Sequence, residues 1–416
     1  MKLGLSIFFS AVLLLSQRTD TATVTIPSAP SLPAAGGTFV DPVFGTTIMR
    51  VTSSATDATA CWHDYSYWAV FNKDNTRLIV QCTGGRYWYD FNPVTFTLGT
   101  KTAWPDTPTP VTVSGDGSSQ WSGLDPVKAW VLEPYLKKIW SVNVTTGTYT
   151  AEKTFSAGEM PASTHYLVGM TISQDDDVFE FDARDIGDND TGCFWWRKSN
   201  NTVLYTKTTT NLDECQVDRA GLWGSYKPAT DPGGGKWTDV INLTTQTVVS
   251  MNESSSAWAF HHSDMGRGFA TGLNGKYPDG VGGGSDGGAR LYHNFLTLGS
   301  YIQVTPGTSS DGHMSCGTDD DETCLQSWYR IPKVGGQFHE ELWSTYNDGS
   351  RRTIRYAHHQ SDATSNYRAQ PQANISRDGQ FVTYNSNNMS AAGRTDVFVV
   401  KVKRQASSPI GVGVSF

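Results

Sequence analysis

Short apolar stretches joined by polar turns recur along the chain. The clearest is Asn374 to Tyr384, NISRDGQFVTY, in which one short apolar strand enters Ser-Arg-Asp-Gly and a second leaves it. Asp supplies a side-chain cap and Gly supplies the positive φ that a tight turn needs, so this stretch predicts a β-hairpin. Related stretches occur at Val70–Val80, Thr171–Phe181, Phe260–Ala270 and Cys316–Cys324, with looser copies at Leu124–Leu132 and Asp218–Gly221.

The spacing of these hairpins predicts the architecture. From Asp74 to Asp378 the turns define six intervals that average about fifty residues, the period of four-stranded propeller blades rather than of helical repeats. Seven hairpins therefore predict an all-β, single-domain, seven-bladed β-propeller. We expect blades at Trp62–Thr100, Gln120–Lys153, His165–Thr209, Glu214–Met251, Ala257–Thr305 and His313–Ala357, with the remainder forming the seventh.

The last blade offers only three strands, Ala373–Ser376, Phe381–Ser386 and Asp396–Lys403. Thr46–Thr52, TTIMRVT, is an isolated apolar strand that precedes the first hairpin. An open sheet edge is a liability that closure removes. We therefore expect the N-terminal strand to complete the last blade and close the ring.

The first residues resemble a secretory signal peptide. Lys2 is followed by the apolar run Leu3–Leu15 and then by polar residues, and the run is too short to span a bilayer. We expect a signal peptide over about residues 1–22, a propeller over 23–416, and a secreted protein. Seven N-x-S/T sequons would accept glycans in a eukaryotic host.

Six cysteines and an oxidising destination predict three disulfides. The sequence contains no C-x-x-C pair of the kind that would indicate a metal site. Sequential pairing is the simplest scheme, joining Cys61 to Cys82, Cys193 to Cys215 and Cys316 to Cys324. The formal net charge of −8 and the absence of a Lys/Arg run argue against nucleic acid or an anionic membrane as a partner. We expect a monomer.

Nine histidines are present, and five of them precede or end a predicted blade. The residues before each inner strand converge on the face that carries the connections between blades, so these histidines are expected on one rim. His, Tyr, Arg and carboxylate groups on one rim could bind an anion and move protons, although each His could instead cap its own loop. The expected catalytic residues are His63, His165, His313, Tyr367, Arg368 and Arg219, and the expected substrate contacts are Trp62, Asp64, Tyr166, Arg290, His358 and His359.

Other histidines receive a structural interpretation. His261 and His262 align with the last core residue and the turn-capping residue of the other hairpins, so we expect them to support the fold. His293 and His339 fall in predicted third strands, away from the axis. A divalent cation, Mn²⁺ on His313, His358 and His359 or Ca²⁺ on the acidic turns Asp175–Asp177 and Asp319–Asp321, is possible on ligand type alone.

The secreted seven-blade pattern, with His, Tyr and Arg on one face, resembles the propeller-fold polysaccharide lyases. These include oligogalacturonate lyases, ulvan lyases and fungal rhamnose-glucuronate lyases. The segment most similar to them is AHHQSDATSNYRAQPQANISRDGQFVTYNSN, residues 357 to 387. Oligogalacturonate lyases bring a Gln and closely spaced His residues to manganese. Here His358 and His359 are adjacent and Gln370 and Gln372 follow, so the pattern departs from theirs.

The resemblance implies β-elimination on a uronic-acid-containing glycan. The C5 proton becomes acidic only when the adjacent carboxylate is neutralised, which Arg or a metal can do, and a His or Tyr can then remove it. Arg368 is the expected carboxylate clamp, with Arg219 and Arg290 in reserve. His165 and His313 are the first choices for proton transfer, followed by Tyr367.

Two other functions remain open. A glycoside hydrolase would need two carboxylates that flank the scissile bond, for which Asp64, Asp125 and Asp311 are the rim candidates. A non-catalytic glycan-binding propeller would carry similar sites in several blades, whereas the His and Arg positions here differ between blades. Polysaccharide or oligosaccharide is the expected ligand in each case.

Overall fold

A computed structural model describes residues 18–57, 59–105, 117–229, 238–250, 260–274, 290–297, 302–304, 311–329, 337–363, 366–390 and 393–402. They form seven antiparallel sheets, six of four strands and one of five. The predicted all-β propeller is confirmed. The predicted signal peptide lies almost wholly outside the described residues.

Six blades follow chain order from the inner to the outer strand. Blade 1 contains β3 (Cys61–Trp62), β4 (Arg77–Cys82), β5 (Gly85–Asn92) and β6 (Thr97–Ala103). Blade 2 contains β7 (Ser119–Trp121), β8 (Lys128–Glu133), β9 (Lys138–Asn143) and β10 (Thr148–Thr154), and blade 3 contains β11 (Tyr166–Ile172), β12 (Val178–Arg184), β13 (Asp190–Arg197) and β14 (Thr202–Thr208). Blade 4 contains β15 (Glu214–Val217), β16 (Trp223–Lys227), β17 (Asp239–Asn242) and β18 (Thr247–Ser250).

Blade 5 contains β19 (Phe260–Met265), β20 (Phe269–Asn274), β21 (Arg290–Asn294) and β22 (Ile302–Gln303). Blade 6 contains β23 (Asp311–Ser315), β24 (Thr323–Tyr329), β25 (Glu341–Tyr346) and β26 (Thr353–His358). Blade 7 combines β1 (Thr38–Val40) and β2 (Thr47–Arg50) with β27 (Asn374–Ile375), β28 (Phe381–Ser386) and β29 (Asp396–Lys401). Single-turn 3-10 helices occur at Ala157–Glu159, Phe295–Thr297 and Tyr367–Ala369.

The N-terminal closure is confirmed. Strand β2 pairs antiparallel with β29, placing Ile48 opposite Val400 and Arg50 opposite Phe398. Arg50 also forms an ion pair with Asp396 at 2.6 Å, and both side chains are largely buried. The chain therefore completes its last sheet with its own beginning, as the missing fourth strand predicted.

The core lies between the blades because each strand alternates its side chains between two neighbouring sheets. In β12, Phe179 and Phe181 pack toward blade 2, whereas Val178 and Glu180 face blade 4. Such aromatic side chains each contribute about 1.5–3 kcal/mol on burial. The abundant Trp and Phe residues thus hold the sheets to one another.

The hairpin turns follow the expected chemistry in most blades. In blade 7 the Ser376 hydroxyl donates to Asp378 Oδ1 at 2.7 Å and accepts the Phe381 N–H, while Gly379 has φ +68°. Blade 5 departs from the predicted register, because its turn lies at Gly266–Gly268 rather than at Asp264. Asp264 is instead a residue of strand β19. His261 and His262, which were expected next to the turn, therefore lie further from it along β19.

All three predicted disulfides are present. Cys61–Cys82 links the first two strands of blade 1, and Cys316–Cys324 closes the first hairpin of blade 6. Cys193–Cys215 joins β13 to β15 and therefore connects two blades. Disulfides are typical of proteins in oxidising compartments. None of the helices in the described residues has the length and apolar character needed to cross a membrane.

Candidate active site on the propeller axis

The inner strand of blade 1 is interrupted by a loop that crosses the axis. Strand β3 ends at Trp62, and pairing resumes only at Phe71, opposite Leu78. Residues 63–69 therefore leave the blade, and the indole N–H of Trp68 donates to the Met170 carbonyl of blade 3 at 2.8 Å. We call residues 63–69 the axial loop.

Gly117 makes room for this loop. Its φ is +73°, and a Cβ at this position would lie 2.1 Å from the Trp68 ring. Only glycine combines that backbone conformation with so close an approach. The axial loop is thus held by blade 2 as well as by blade 3.

The axial loop brings Tyr65 to two histidines from the far side of the ring. The Tyr65 hydroxyl lies 2.5 Å from Nδ1 of His262, and its ring centroid lies 4.8 Å from that of His313. The two imidazole rings are 4.6 Å apart. Tyr65 and His262 are partly exposed, whereas His313 is fully buried. We call Tyr65, His262 and His313 the axial triad.

A bulge in β19 places His262 in this triad. The pairing register shifts between His261 and Ser263, and His262 has φ +42°. Positive φ is uncommon outside glycine and concentrates at functional sites, while bulges redirect side chains. The expected position of His262 at the hairpin turn is therefore wrong, because it rested on an incorrect hairpin register. The His261 and His293 side chains lie outside the described part of the structure.

A second group of expected site residues gathers around Trp62, the residue that precedes the axial loop. The Arg368 guanidinium carbon sits 4.9 Å from the centroid of the Trp62 ring and 5.6 Å from that of Tyr367, whose side chain is 50% exposed. Trp62 and Tyr65 are three residues apart, so their Cα atoms are separated by at most about 11 Å. The chain therefore carries a cationic, aromatic group on the segment that leads into the axial loop.

His63 and Asp64 lie between these two groups but are buried. His63 Nδ1 is 2.7 Å from the Asp64 carbonyl, and burial lowers the pKa of His63 to about 4. Asp64 forms an ion pair with Arg86 at 3.2 Å, and both side chains are buried. Neither residue is exposed for direct substrate contact, and both are better placed to support the axial loop.

The expected substrate contacts His358 and His359 are buried structural residues. His358 Nδ1 lies 2.9 Å from Asp41 Oδ2; burial opposes ionisation of Asp41, but hydrogen bonds from His358 hold its pKa below the usual value. His359 Nε2 lies 2.9 Å from the Trp328 carbonyl, and its Nδ1 accepts the Ser361 N–H. Three of their four ring nitrogens are used within the fold, whereas His358 Nε2 is buried without a hydrogen-bond partner. Both side chains are buried, which does not support their expected role as substrate contacts.

Other expected site residues lie apart from the axial triad. His165 is exposed and contacts Tyr135 at 6.1 Å between ring centroids, while the Tyr166 hydroxyl bonds Asp188. Arg219 lies in the turn-face half of the axial cavity, so the structure does not place it in the rim site. Asp125 lies in the hairpin turn after β7, away from the rim, and the side chains of Arg290 and Asp311 lie outside the described part of the structure.

The acidic turns proposed for calcium are occupied by hydrogen bonds. Asp176 accepts from Ser122 and from the Gly123 N–H, and Asp177 accepts from Ser199. Asp319 and Asp321 accept from Arg377 and Arg267. These contacts stabilise neighbouring turns, and they do not support either turn as a calcium site.

An acidic pair, with Glu180 buried and Asp182 partly buried, lies between blades 3 and 4. Burial raises the pKa of Asp182 to about 8, and it raises the pKa of Glu180 with help from the neighbouring Asp182 charge. Carboxylate oxygens of this pair and the sulfurs of Cys193 and Cys215 lie within 4.8 Å of one another. Those cysteines form a disulfide, so no thiolate is available there to a metal. The arrangement favours a shared proton.

Solved structures show the same fold. The chain aligns over 88% of its length with an oligogalacturonate lyase from Vibrio parahaemolyticus, covering 96% of that protein at 12% identity with a TM-score of 0.64. An oligogalacturonate lyase in complex with manganese aligns over 91% of the chain and 99% of its own, also at 12% identity, with a TM-score of 0.62. No protein-family model and no curated protein matches the sequence. At this identity the likeness establishes a propeller fold shared with lyases.

Proposed function

We propose that this protein is a secreted polysaccharide lyase that cleaves a uronic-acid-containing glycan by β-elimination. The observation that carries the proposal is the hydrogen bond between Tyr65 and His262, both partly exposed on the axis. Arg368 lies over Trp62, three residues before Tyr65 in the chain. The shared fold and the three disulfides, which are typical of exported proteins, support it. We propose a monomer that binds its glycan on the face carrying Trp62.

Arg368 would neutralise the substrate carboxylate. An Arg fork pairs with both carboxylate oxygens, and neutralisation lowers the energy of the enolate-like charge that forms when C5 loses its proton. The Trp62 ring offers a flat apolar surface on which a sugar ring can stack. Since Arg368 already lies over Trp62, one sugar residue could contact both groups.

Tyr65 would then remove the C5 proton. Its hydroxyl proton passes to His262 Nδ1, and the phenolate oxygen takes the proton from C5. The electron pair of the C5–H bond forms the C4–C5 double bond, and the C4–O bond breaks with its electrons on the departing oxygen. That oxygen needs a proton from the other side of a glucuronate ring, for which Tyr367 is the candidate.

A divalent cation could add to this chemistry. Its ligands would come from His262 and His313, and Gln372 is a further candidate because both side-chain amide atoms are buried without a hydrogen-bond partner. The Ala373 N–H bonds Ser327, which pairs with His313, so Gln372 lies near the triad in the fold. Such an ion would supply positive charge that neutralises the substrate carboxylate, as Arg368 would.

The proposal is tested with purified protein on uronate polysaccharides, including gum arabic, pectin fragments and ulvan, with and without chelator. Elimination creates a conjugated double bond, so ultraviolet absorbance should rise with the wild-type protein and not with Tyr65→Phe. New reducing ends without absorbance would replace the proposal with hydrolysis. Neither signal on any substrate would leave glycan binding as the function, to be measured by calorimetry.

A further inference from the structure

We infer that the turn-face half of the propeller axis contains a binding site for a small oxyanion or carboxylate, centred on Arg219. This site is separate from the proposed active site and does not depend on the lyase activity. Arg219 was expected to be catalytic, but the structure places it away from the rim.

The site is a cavity that the inner strands enclose. Its volume is about 70 Å³, and every blade contributes to its wall. Tyr67 of the axial loop lines it, so this loop separates it from the axial triad. A cavity of this size and polarity suits a small ligand rather than a polysaccharide chain.

Arg219 has no counter-ion of its own. Its Nε is buried without a hydrogen-bond partner, and no carboxylate among the described residues forms an ion pair with its guanidinium. Burial lowers the pKa of Arg219, although Asp264 partly opposes this effect. The side chain as a whole is only partly buried. An arginine stays charged in a protein, and burying part of that charge without a partner is costly. A bound anion would remove that cost.

The charged side chains that line the cavity also favour a bound anion. Lys73, Arg219 and Arg377 line it, against one carboxylate, Asp264. Both oxygens of Asp264 already accept backbone N–H groups, from Met265 and Cys316. Arg377 is paired with Asp319, so Lys73 and Arg219 are the cations set against the single acid, and both oxygens of that acid are occupied.

A polar collar surrounds the mouth. Arg377 pairs with Asp319 and bonds the Gly123 carbonyl, and Gln174 bonds both Asp319 and Arg267. Asp319 and Asp321 are the further acids whose charge reaches Arg219, and Arg377 is the further cation. The collar acids are paired with Arg377 and Arg267, so they do not neutralise the cavity.

The pH should modulate this site through Asp264. Burial raises the pKa of Asp264 to about 7, while the Arg219 charge lowers it. An ionised Asp264 repels an anion held by Arg219, and a protonated one does not. Anion binding should therefore weaken as pH rises through 7, which adds a second readout to the test.

The experiment measures thermal unfolding of the full chain at constant ionic strength with phosphate, sulfate, acetate or glucuronate. A ligand that binds only the folded state raises the unfolding temperature by mass action. We expect a rise of several degrees with at least one anion, lost in Arg219→Gln and kept in the surface control Arg352→Gln. Phosphate and sulfate against acetate and glucuronate distinguish an inorganic ligand from a carboxylate.

Arg219→Lys serves if Arg219→Gln does not fold, because it keeps the charge but loses the planar fork that binds two oxygens. Its calorimetric affinity for the active anion should fall at least tenfold. No anion effect on the wild type, or an equal effect in the Arg219 variants, would overturn the inference. Lyase assays on the same variants should match the wild type, which separates this site from the proposed function.

Discussion

The Tyr65 hydroxyl and His262 Nδ1 lie 2.5 Å apart although the residues are 197 positions apart in sequence. One comes from the axial loop of blade 1 and the other from a bulge in blade 5. Neither residue sits in a regular strand position, and the site exists because two irregularities meet on the axis. This geometry makes the pair the first target for mutation.

Tyr65→Phe and His262→Gln should each reduce kcat on the responsive glycan by 10²- to 10⁴-fold, the usual contribution of general acid–base catalysis. The double variant should lose little more than either single variant, because the two groups transfer one proton. Initial rates of double-bond formation measure this. Tyr205→Phe, on the outer strand of blade 3, is the control, and an active Tyr65→Phe protein would exclude Tyr65 as the base.

Arg368→Gln should lower kcat/KM by roughly 10- to 100-fold, since a charge-assisted hydrogen bond is worth about 1.5–3 kcal/mol. Arg368→Lys should recover only part of it, because Lys cannot hold both carboxylate oxygens in a plane. Arg352→Gln is a matched control, as Arg352 also stacks on an aromatic ring, that of Tyr346 at 3.9 Å. Equal losses in Arg368→Gln and Arg352→Gln would point to general destabilisation.

His63 predicts an acid-side loss of stability. Its pKa is about 4 in the folded protein, whereas a histidine in the unfolded chain has a pKa of about 6.5. The unfolded chain therefore takes up the proton first on acidification. The stability is fully present above pH 6.5 and falls by about 3 kcal/mol as pH drops to 4. Urea unfolding at pH 7.5 and 4.5 measures it; His63→Asn should show a flatter pH dependence, and an unchanged slope would contradict the assignment.

The pKa shift of Asp182 predicts the opposite pH dependence of stability, a loss as pH rises. Burial raises its pKa to about 8, so the folded state keeps a proton that the unfolded chain releases. Stability from this group is present at low pH and is lost as pH rises toward 8. Asp182→Asn cannot ionise, so its free energy of unfolding relative to wild type should increase between pH 5 and pH 8.5. A difference that does not change with pH would refute the shifted pKa.

Loss of the disulfide between blades should destabilise the fold. Cys193 and Cys215 close a loop of 22 residues, for which cross-linking contributes about 3 kcal/mol. The Cys193→Ala, Cys215→Ala variant should lose approximately that much in urea unfolding. The Cys316→Ala, Cys324→Ala variant, with a separation of 8 residues, should lose less. The reverse order would show that the bridges act mainly through native-state packing.

The blade architecture could be predicted from the sequence because its signals are local and repeated. Turn residues such as Asp378 and Gly379 recur at the blade period, and the missing last strand matched the apolar segment that contains Ile48. The cysteine pairs follow from the same register, since Cys61 and Cys82 flank one hairpin. Each inference needs only short-range chemistry and a regular period.

The site was harder to predict because irregular backbone forms it. In blade 5 both Asp264 and Gly266–Gly268 could occupy a turn, and the turn forms at the glycines. That shift moved His262 from the expected turn to the axial triad. His358 and His359 looked exposed from their position before a blade, but Asp41 and the Trp328 carbonyl bury them. Sequence patterns do not record such long-range partners.

The closing pair of β2 and β29 affects how the protein must be made. Ile48 pairs with Val400, so the contact spans almost the whole chain of 416 residues. Contacts of such large sequence separation form late and slow folding. During synthesis the ring cannot close until β29 has left the ribosome. The nascent chain therefore has an open sheet edge until then, and we expect it to need chaperones until β29 pairs with β2.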